Sequence, residues 1–501
     1  MSMDYVIGCD IGTQGTKATL LTTTGELICE AYEGYPIDFP QPLWAEQPVS
    51  HWLDALTLSI RRLLSESGVA ARNIRALSLA TQVDGVIPID SKGQPLHSAI
   101  IWMDRRAGAQ CERVRQRLGD EQIFQLTGLN LDASHVAPKI RWLADEKPEL
   151  YEQTAHFLLP GSYMAFALTG ELAVDYSNAS STLLLDVHTK TWSAAMGDAF
   201  EIDLNKMAPL GAATASLGKL RPEMAEGLGL GVETPVMIGC GDEHAACLGA
   251  GVIKPGIVGD IVGTAEPVCV ASSEPAFDPT RLVETHCHGD PELWLLENPG
   301  FVSGGNFRWF RDQFAKGESY AALDAEAAPI APGAEGLTFL PSLMGAMAPT
   351  WNEAARGTYA GFTLAHTRGH FVRALLEGSA YAVRDITTQM QIAGIPLHEM
   401  RAVGGGAKSS LWNQIKADVT GLPVQVPEIT ETTALGAAFL ALIGTGAYAT
   451  LTEASEQIVK IREQTEPDPA TASMYAESYE RYRQTYFTML PVFENASGHT
   501  H

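Results

Sequence analysis

The sequence is short of basic residues. Lys and Arg together number 34 against 59 Asp and Glu in 501 residues, which gives a formal net charge of −25 at pH 7. A negative surplus of this size repels nucleic acids and anionic membrane surfaces, so neither is expected as a partner. A small anionic ligand remains compatible, because main-chain amides and a bound cation act locally against the global charge.

Cysteines and long hydrophobic runs are scarce as well. The seven cysteines are scattered and odd in number, which does not indicate a disulfide framework. The best apolar run, around Ala434–Ile443, is too short to span a membrane. Residues 1–4 do not open a signal-peptide pattern. We therefore expect a cytoplasmic protein that does not insert into a membrane.

The length and the alternation of segments predict an α/β protein with more than one domain. A chain of 501 residues exceeds one ordinary hydrophobic core. Buried strands are predicted at Val6–Asp10, Ile74–Ala80 and Val86–Ile89, whereas Trp52–Leu64 and Ala137–Leu143 carry apolar residues at helical spacing. Alternation of this kind is typical of layered α/β folds.

The segment Asp10–Lys17 joins two predicted strands through a turn rich in Gly and Thr. Glycines allow main-chain amides to converge on an anion, threonine hydroxyls add donors, and Lys17 adds positive charge. Asp10 is placed to hold Mg²⁺, which prefers carboxylates and retained waters. An ordinary hairpin turn explains the segment equally well on its own.

Similar glycine-rich strand ends recur in the second half. Gly259–Thr264 precedes another apolar strand at Val268–Val270, and Arg401–Ala407 ends in three glycines before a helical run at Ser410–Thr420. Glycine-rich strand ends in both halves predict one nucleotide bound in a cleft between two related domains. The boundary is predicted near Gly251–Pro255.

Asp242 is the main candidate for chemistry. A strand predicted at Pro235–Cys240 ends in Gly241, Asp242 follows at once, and a helix of small residues begins. Such a position suits an N-cap aspartate. It equally suits a general base that removes a proton from a substrate hydroxyl, since phosphoryl transfer requires mainly positioning and charge stabilisation from the protein.

Motifs that occur in order along nearly the whole chain resemble those of a known protein family. The chain resembles the FGGY family of carbohydrate kinases, within the actin-like ATPase superfamily, and is most similar to the xylulose kinases. The motifs that carry the resemblance are Asp10–Thr13 with Lys17, Pro42–Gln47, Ala99–Arg106, Leu159–Tyr163, Leu168–Glu171, Gly241–Asp242, Gly357–Phe362, Arg373–Gly378 and Gly404–Ala407.

The resemblance implies a fold and a division of the chain. Two actin-like (ribonuclease H-like) domains are expected to flank a cleft for nucleotide and sugar. Residues 1–252 would bind the sugar and carry the base and a phosphate turn, and residues 253–490 would bind adenosine and phosphate. Residues 470–490 read as a solvated helix, and a disordered tail is expected over residues 491–501. A homodimer is implied by the resemblance alone.

The resemblance also implies the roles of individual residues, with ATP and Mg²⁺ as cofactors. Asp242 matches the catalytic base, and Asp10 and Asp242 match the metal-binding carboxylates. The expected ATP-binding residues are Thr13, Gln14, Lys17, Gly263, Thr264, Gly304, Arg308, Gly405, Gly406, Ala407 and Ser410. The expected sugar-binding residues are Gln82, Val83, Asp84, Trp102, Asp104, Asp242 and Glu243.

The chain departs from xylulose kinases at acidic positions. Asp84 stands where they typically have His, and Glu243 where they have Asn. Carboxylates accept hydrogen bonds from hydroxyls and cannot donate to a carbonyl oxygen, so the changes favour a polyol over a ketose. Alternatively, Arg105 or Arg106 satisfies Asp84. Glu266 stands beside the second Gly-Thr turn, where it would repel a nucleotide unless it points away or meets Mg²⁺.

Two further features carry less weight. His286-Cys287-His288 resembles a metal-binding pattern, but no other Cys/His pair is spaced to complete a tetrahedral site, so core or loop histidines are expected. Near Gly345, the Glu-Arg pair that is frequent in the family is missing, which raises the question of a slower turnover.

The expected function is ATP-dependent phosphorylation of a terminal hydroxyl of a small sugar, with a ketopentose such as D-xylulose as the acceptor. The alternative is a kinase of a polyol similar to erythritol or a pentitol, or of another FGGY substrate. An actin-like ATPase without a sugar acceptor and a silent sugar-binding regulator are more remote alternatives.

Overall fold

The computed structural model describes residues 3–496, and two seven-stranded sheets dominate that range. In spatial order, the N-terminal sheet consists of Ser216–Lys219, Pro235–Met237, Ile74–Thr81, Tyr5–Ile11, Gly15–Thr22 and Leu27–Gly34, with Cys240–Gly241 also paired to Ile74–Thr81. The C-terminal sheet consists of Glu284–Cys287, Trp294–Val302, Ala265–Ser272, Ile257–Val262, Glu399–Gly404, Val424–Pro427 and Ile461–Thr465.

The two sheets share one arrangement of strands. Tyr5–Ile11 runs antiparallel to Gly15–Thr22 and parallel to Ile74–Thr81. In the same way, Ile257–Val262 runs antiparallel to the strand after it and parallel to Glu399–Gly404. The repeated Gly-Thr turns of the sequence therefore lie at equivalent points of two related units, and the predicted two-domain α/β class is confirmed.

Helices cover both sheets. Those before residue 252 are Val49–Ser67, Gly108–Leu118, Asp120–Thr127, Val136–Glu146, Pro148–Gln153, Pro160–Thr169, Tyr176–Ser180, Ala194–Phe200, Pro222–Leu228 and Asp242–Ala250. Those after it are Gly304–Phe314, Tyr320–Ala327, Arg368–Ile392, Ser410–Thr420, Thr433–Thr445, Leu451–Ile458 and Ala472–Ala496. Within residues 3–496, every helix falls short of the length and hydropathy needed to cross a bilayer.

Short strands outside the two sheets pair two by two. Within the described range these pairs are Glu46–Gln47 with Ala99–Ile100, Ile87–Ile89 with His156–Leu158, Val174–Asp175 with Leu210–Gly211, Leu185–Asp186 with Thr191–Trp192, and Thr338–Leu340 with Thr358–Ala360.

Helix Thr433–Thr445, named here the crossing helix, comes late in the chain but packs against the N-terminal sheet. Residues 434–442 are all buried, as expected for a helix that is apolar on every side. A Cβ atom on Gly8 of the central strand would lie 2.2 Å from the main-chain oxygen of Ala434. The domain boundary predicted at residues 252/253 therefore assigns this helix to the C-terminal part of the chain, although the helix covers the N-terminal sheet.

The crossing helix also meets helix Asp242–Ala250 backbone to backbone. A Cβ atom on Gly436 would lie 1.8 Å from the oxygen of Ala245, and one on Gly249 would lie 2.1 Å from the oxygen of Thr432. Glycine is required at both positions because no side chain fits between the two helices.

The last helix differs from the sequence-based expectation. Helix Ala472–Ala496 buries a stripe of tyrosines at helical spacing: Tyr475, Tyr479, Tyr482 and Tyr486. The prediction of a solvated helix is therefore wrong for this face. The helix continues to Ala496, so the predicted disorder from residue 491 is wrong as far as 496, and residues 497–501 lie outside the described range.

A buried ion cluster joins the C-terminal sheet to helix Ser410–Thr420. The Lys416 ammonium contacts the carboxylates of Asp260 and Glu266, on two adjacent strands, and all three side chains are almost completely buried. Burial raises the pKa of Glu266 to about 8, with Lys416 opposing the shift and Asp260 adding to it. Glu266 thus points into the domain core instead of toward the turn beside it.

Substituting Gly436→Ala is expected to destabilise the protein. The added methyl group overlaps the Ala245 carbonyl, and overpacking of a rigid backbone contact costs at least about 2 kcal/mol in the free energy of unfolding. The shift in the midpoint of urea-induced unfolding measures the effect. Gly227→Ala is the matched control, because a Cβ atom there meets nothing within 4 Å in the described structure. Equal midpoints for the two variants would contradict the close contact.

Substituting Lys416→Met is expected to lower the free energy of unfolding by about 3–5 kcal/mol, because it leaves two carboxylates buried without their cation. The control is Lys408→Met, at an exposed position of the same region. Urea-induced unfolding compares the two. A stable Lys416→Met variant would show that the carboxylates do not depend on this ammonium.

Candidate active site

The ends of parallel strands bring three predicted site segments to one edge of the N-terminal sheet. Strand Tyr5–Ile11 leads into the turn Gly12–Gly15, its parallel neighbour Ile74–Thr81 leads into Gln82–Gly85, and Cys240–Gly241 leads into Asp242. Because the carboxyl ends of parallel strands meet at the same edge, these segments lie side by side. In the C-terminal sheet, Gly263–Thr264 and Gly405–Ala407 share an edge for the same reason.

The loop Thr430–Thr432 connects the two edges. The Gly404 amide donates a hydrogen bond to the Thr430 oxygen at 3.0 Å. The Lys17 ammonium of the N-terminal sheet forms an ion pair of 2.8 Å with Glu431. This loop therefore contacts the edge of each sheet at which residues were predicted to bind phosphate.

Side chains from outside hold the turn Gly12–Gly15 in place. Gln47 Nε2 donates to the Thr13 main-chain oxygen at 2.8 Å, and the Tyr32 hydroxyl donates to the Gln14 oxygen at 3.1 Å. Trp102 Nε1 donates to Thr13 Oγ1 at 2.8 Å. Trp102, predicted on the sugar side, thus directly contacts Thr13, predicted on the phosphate side.

Asp10 lies at the end of its strand with its carboxylate buried. Its Oδ1 atom lacks a hydrogen-bond partner among residues 3–496. Burial raises the pKa of Asp10 to about 7, with Glu431 adding to the shift and Lys17 opposing it. An unpaired, buried carboxylate oxygen at the mouth of a phosphate-type turn has the character of a cation ligand.

The second turn, Gly263–Thr264, is a tight hairpin between Ile257–Val262 and Ala265–Ser272. Arg308 Nη2 donates to Thr264 Oγ1 at 3.1 Å. Gly304 packs against it so closely that a Cβ atom there would lie 2.1 Å from the Gly263 oxygen. Glu266 does not face this turn, because it is held by Lys416 in the core, so the expected repulsion is not found.

The glycine run Gly404–Ala407 lies against the strand that precedes the second turn. Gly404 has φ +79°, and a Cβ atom there would lie 2.7 Å from the Val262 oxygen. Asn413 Nδ2 donates to the Ala407 oxygen at 3.0 Å. Ser410 begins the predicted helix Ser410–Thr420, which is confirmed, and its hydroxyl donates to Glu463 at 3.2 Å.

Asp242 is the first residue of its helix, and Gly241 occupies the N-cap position. The strand predicted before it is interrupted at Gly239, whose φ of +82° and close approach to the Leu79 oxygen break the pairing. Asp242 Oδ1 accepts a 2.9 Å hydrogen bond from the Glu243 amide. Burial, followed by the charges of Glu243 and Asp10, raises the pKa of Asp242 well above its usual value.

Asp84 has an unexpected partner. Its Oδ2 atom lies 3.2 Å from His135 Nδ1, and the Lys139 ammonium donates to its main-chain oxygen at 2.6 Å. Arg105 pairs with Asp132 and Arg106 with Asp104, so the interpretation that an arginine satisfies Asp84 is wrong. Although burial opposes the charge, Asp84 raises the pKa of His135 to about 9, so this imidazole is protonated at neutral pH.

The other predicted sugar-side residues differ in exposure. Gln82 donates to Gln47 Oε1 at 2.9 Å, and Val83 packs against Gly241. Trp102 is 40% exposed, which leaves its ring available to a ligand. Asp104 is fully buried, and both its carboxylate oxygens accept hydrogen bonds from Arg106, so it supports the site from behind instead of facing open space.

Glu243 contacts residues that sequence reasoning did not assign to the site. Burial raises the pKa of the Glu243 carboxyl and that of Glu297, whose side chains interact. His286 Nε2 lies 3.6 Å from Glu297 and 3.8 Å from Glu284. The sequence pattern around His286 favoured a core or loop histidine over a metal ligand. Nothing in the local sequence distinguishes Glu284 or Glu297, because their partners come from distant segments.

Comparison with known proteins identifies relatives over nearly the whole chain. The N-terminal domain profile of the FGGY family of carbohydrate kinases matches residues 5–249, and the C-terminal domain profile matches residues 261–445. A xylulose kinase of Bacillus subtilis is 31% identical over 97% of both chains, and a glycerol kinase of Halorhodospira halophila is 33% identical over 89% of this chain and 90% of the relative.

Comparison with solved structures identifies relatives of the same kinds. A xylulose kinase of Rhodospirillum rubrum superposes with a TM-score of 0.91 at 30% identity, covering 98% of this chain and 100% of its own. A gluconate kinase of Lactobacillus acidophilus superposes with a TM-score of 0.91 at 26% identity, covering 97% and 98% respectively. The two domain matches and the relatives of full length establish the membership: the chain belongs to the FGGY family of carbohydrate kinases.

Proposed function

We propose that this carbohydrate kinase transfers the γ-phosphoryl group of ATP to a terminal hydroxyl of a small acyclic sugar, with D-xylulose as the first candidate acceptor. The observation that carries the proposal is the position of Asp242 at the sheet edge shared by the turn Gly12–Gly15 and the loop Gln82–Gly85. The xylulose kinases among the relatives support the choice of acceptor.

Asp242 acts as the general base in this proposal. The start of its helix fixes the carboxylate, which accepts a main-chain hydrogen bond from the Glu243 amide. A raised pKa makes the deprotonated carboxylate a better proton acceptor, so it can take the hydroxyl proton as the oxygen attacks phosphorus. The remaining requirement is the stabilisation of charge on the phosphoryl oxygens.

The groups that stabilise the charge on the phosphoryl oxygens come from loops of both sheets. We assign the phosphates to Thr13, Lys17, Gly263 and Thr264, and the adenosine to the surface formed by Arg308, Gly405, Ala407 and Ser410. The open main chain of the glycine run allows a flat base to approach it closely. Residues 1–252 would then hold the acceptor and residues 253–490 the nucleoside, so that closure of the two parts excludes water.

Asp10 and Asp242 fit a magnesium ion. Groups of three or more candidate ligands are missing from the described residues, but Mg²⁺ retains waters and needs few carboxylates. The unpaired oxygen of Asp10 and the mutual repulsion of the two carboxylates both favour a cation beside them. When bound, Mg²⁺ neutralises charge on the phosphates.

A polyol is the second candidate acceptor, and Asp84 favours it. Asp84 and Glu243 accept hydrogen bonds from hydroxyl groups, whereas a ketose carbonyl needs a donor. His135 is the nearby donor that a carbonyl could use, but its Nδ1 atom faces Asp84.

Substituting Asp242→Asn is expected to lower kcat by between about 10²- and 10⁴-fold, since a general base contributes an effect of this size. ATP affinity, measured by calorimetry, should change by no more than a few-fold, because the main-chain turns that hold the phosphates are intact. The control is Asp54→Asn, on the exposed face of helix Val49–Ser67. Turnover of the Asp242 variant close to the wild-type rate would remove Asp242 from the role of base.

A coupled assay of ADP release distinguishes the acceptors. The panel contains D-xylulose, other ketopentoses, tetritols, pentitols, glycerol and gluconate. Turnover should require an acceptor and should be highest with a ketopentose or a polyol. A clear preference for D-xylulose would contradict the idea that Asp84 and Glu243 redirect specificity. ADP release at full rate without any acceptor would instead favour an ATPase.

A further inference from the structure

Gln47 links two segments of the proposed site. Gln47 Nε2 donates to the Thr13 main-chain oxygen at 2.8 Å, and Gln47 Oε1 accepts a hydrogen bond of 2.9 Å from Gln82 Nε2. Thr13 belongs to the turn Gly12–Gly15, and Gln82 opens the loop Gln82–Gly85. Gln47 itself has no exposed surface. One buried side chain therefore bonds both to the segment proposed to hold phosphate and to the segment proposed to hold the acceptor.

The hydrogen-bonding capacity of the Gln47 carboxamide is fully used. Its Nε2 atom also donates to the Pro36 main-chain oxygen at 3.2 Å, and its Oε1 atom also accepts from Trp52 Nε1 at 3.1 Å. A carboxamide has two N–H donors and two acceptor positions on its oxygen, so these two contacts and those to Thr13 and Gln82 occupy all four. A buried polar group that loses its partner is costly, which holds the side chain in this one arrangement.

The direction of the hydrogen bond between Gln82 and Gln47 is fixed. Main-chain oxygens only accept and an indole N–H only donates, so the amino group of Gln47 faces the two main-chain oxygens and its carbonyl oxygen faces Trp52. Gln82 must therefore present its amino group to Gln47. The oxygen of Gln82 has no hydrogen-bond partner among the described residues, so within that range the contact with Gln47 is the one side-chain hydrogen bond that orients Gln82.

The strand Glu46–Gln47 gives this side chain a rigid base. It pairs in antiparallel fashion with Ala99–Ile100. The Glu46 carboxylate accepts a hydrogen bond of 2.7 Å from Arg106 Nη2, and the central carbon of the Arg106 guanidinium lies 3.7 Å from the centre of the Trp44 ring. The turn and the loop of the site are therefore both bonded to a point whose own position is held by its neighbours.

We propose that Gln47 is a positioning residue of the phosphoryl transfer: it holds the turn Gly12–Gly15 and the loop Gln82–Gly85 at the separation that brings the acceptor hydroxyl to the γ-phosphoryl group. The inference rests on the proposed function and adds Gln47 to the residues on which the site depends. Gln47 acts through Thr13 and Gln82, since it has no surface open to a ligand. Because alignment of the reacting groups supplies much of the rate, a displacement of about 1 Å can slow the reaction roughly 100-fold.

The variant Gln47→Met tests this role, because it keeps the length of the side chain and removes all four hydrogen bonds. The assay is run at saturating ATP with the acceptor of the panel that gives the highest turnover. We expect kcat per folded molecule to fall by about 30- to 100-fold. The KM values for ATP and for the acceptor should change by no more than about 3-fold, since each segment keeps its own contacts with its ligand. An unchanged kcat would overturn the proposal.

The matched control is Gln110→Met. Gln110 is another buried glutamine of the N-terminal half, and its Nε2 atom donates to Asp145 at 3.0 Å between helices Gly108–Leu118 and Val136–Glu146. The variant should lower the midpoint of urea-induced unfolding and leave kcat per folded molecule unchanged, with the folded fraction checked by circular dichroism. An equal fall of kcat in the two variants would overturn the positioning role in favour of a general loss of stability.

The variant Gln82→Met breaks the link from the loop side and leaves the other three hydrogen bonds of Gln47 in place, so it carries the test if Gln47→Met does not fold. We expect kcat at saturating acceptor to fall about 10-fold. In the double variant, kcat should equal that of Gln47→Met, because the same link can be broken only once. Multiplied losses in the double variant, or an unchanged kcat in Gln82→Met, would overturn the idea that Gln47 acts through Gln82.

Failure of the inference and failure of the proposed function give different results. Phosphorylation of an acceptor by the wild-type protein, with the same kcat in Gln47→Met, would overturn the inference and leave the kinase function intact. Absence of phosphorylation of every acceptor in the panel by the wild-type protein would overturn the proposed function, and the inference, which rests on that function, would fall with it.

Discussion

The direct contact between two helix backbones is the constraint on which the rest of the molecule depends. Gly436 and Gly249 allow the crossing helix and helix Asp242–Ala250 to approach without intervening side chains. The first helix also covers the N-terminal sheet at Gly8, and the second begins with the proposed base. One glycine-mediated crossing therefore fixes the position of Asp242 relative to the N-terminal sheet, and the loop Thr430–Thr432 before the crossing helix contacts the edges of both sheets.

The site also contains a cluster of acidic side chains in a protein that is already acidic. Asp10, Asp84, Asp242 and Glu243 lie at one sheet edge, and Glu284 and Glu297 approach from the other half. In the core of the C-terminal half, by contrast, the Lys416 ammonium contacts the carboxylates of both Asp260 and Glu266.

The sequence was sufficient for features that are local. The turn at Asp10–Lys17, the strand end before Asp242 and the glycine run each combine a strand, glycines and a helix or strand within a short window. Their repetition predicted two related domains, and the alternation of strand and helix patterns predicted the α/β class. Partners distant in the sequence were not predictable. Glu266 looked unfavourable because its cation, Lys416, lies far along the chain, and His135, Glu284 and Glu297 carry no local motif. The tyrosines of the last helix recur at helical spacing in the sequence, so the burial of that face was predictable from the sequence.

The crossing helix has a consequence for the order in which the protein is made. During synthesis, the N-terminal sheet leaves the ribosome with one apolar face uncovered, and the helix that covers it emerges only after nearly all strands of the other sheet. The packing of the crossing helix on the N-terminal sheet is therefore a late event in synthesis. Until then, nascent chains expose this apolar face of the sheet. Ribosome-bound chains that end before residue 433 should accordingly depend on chaperones. The two halves of the chain are therefore not independent folding modules.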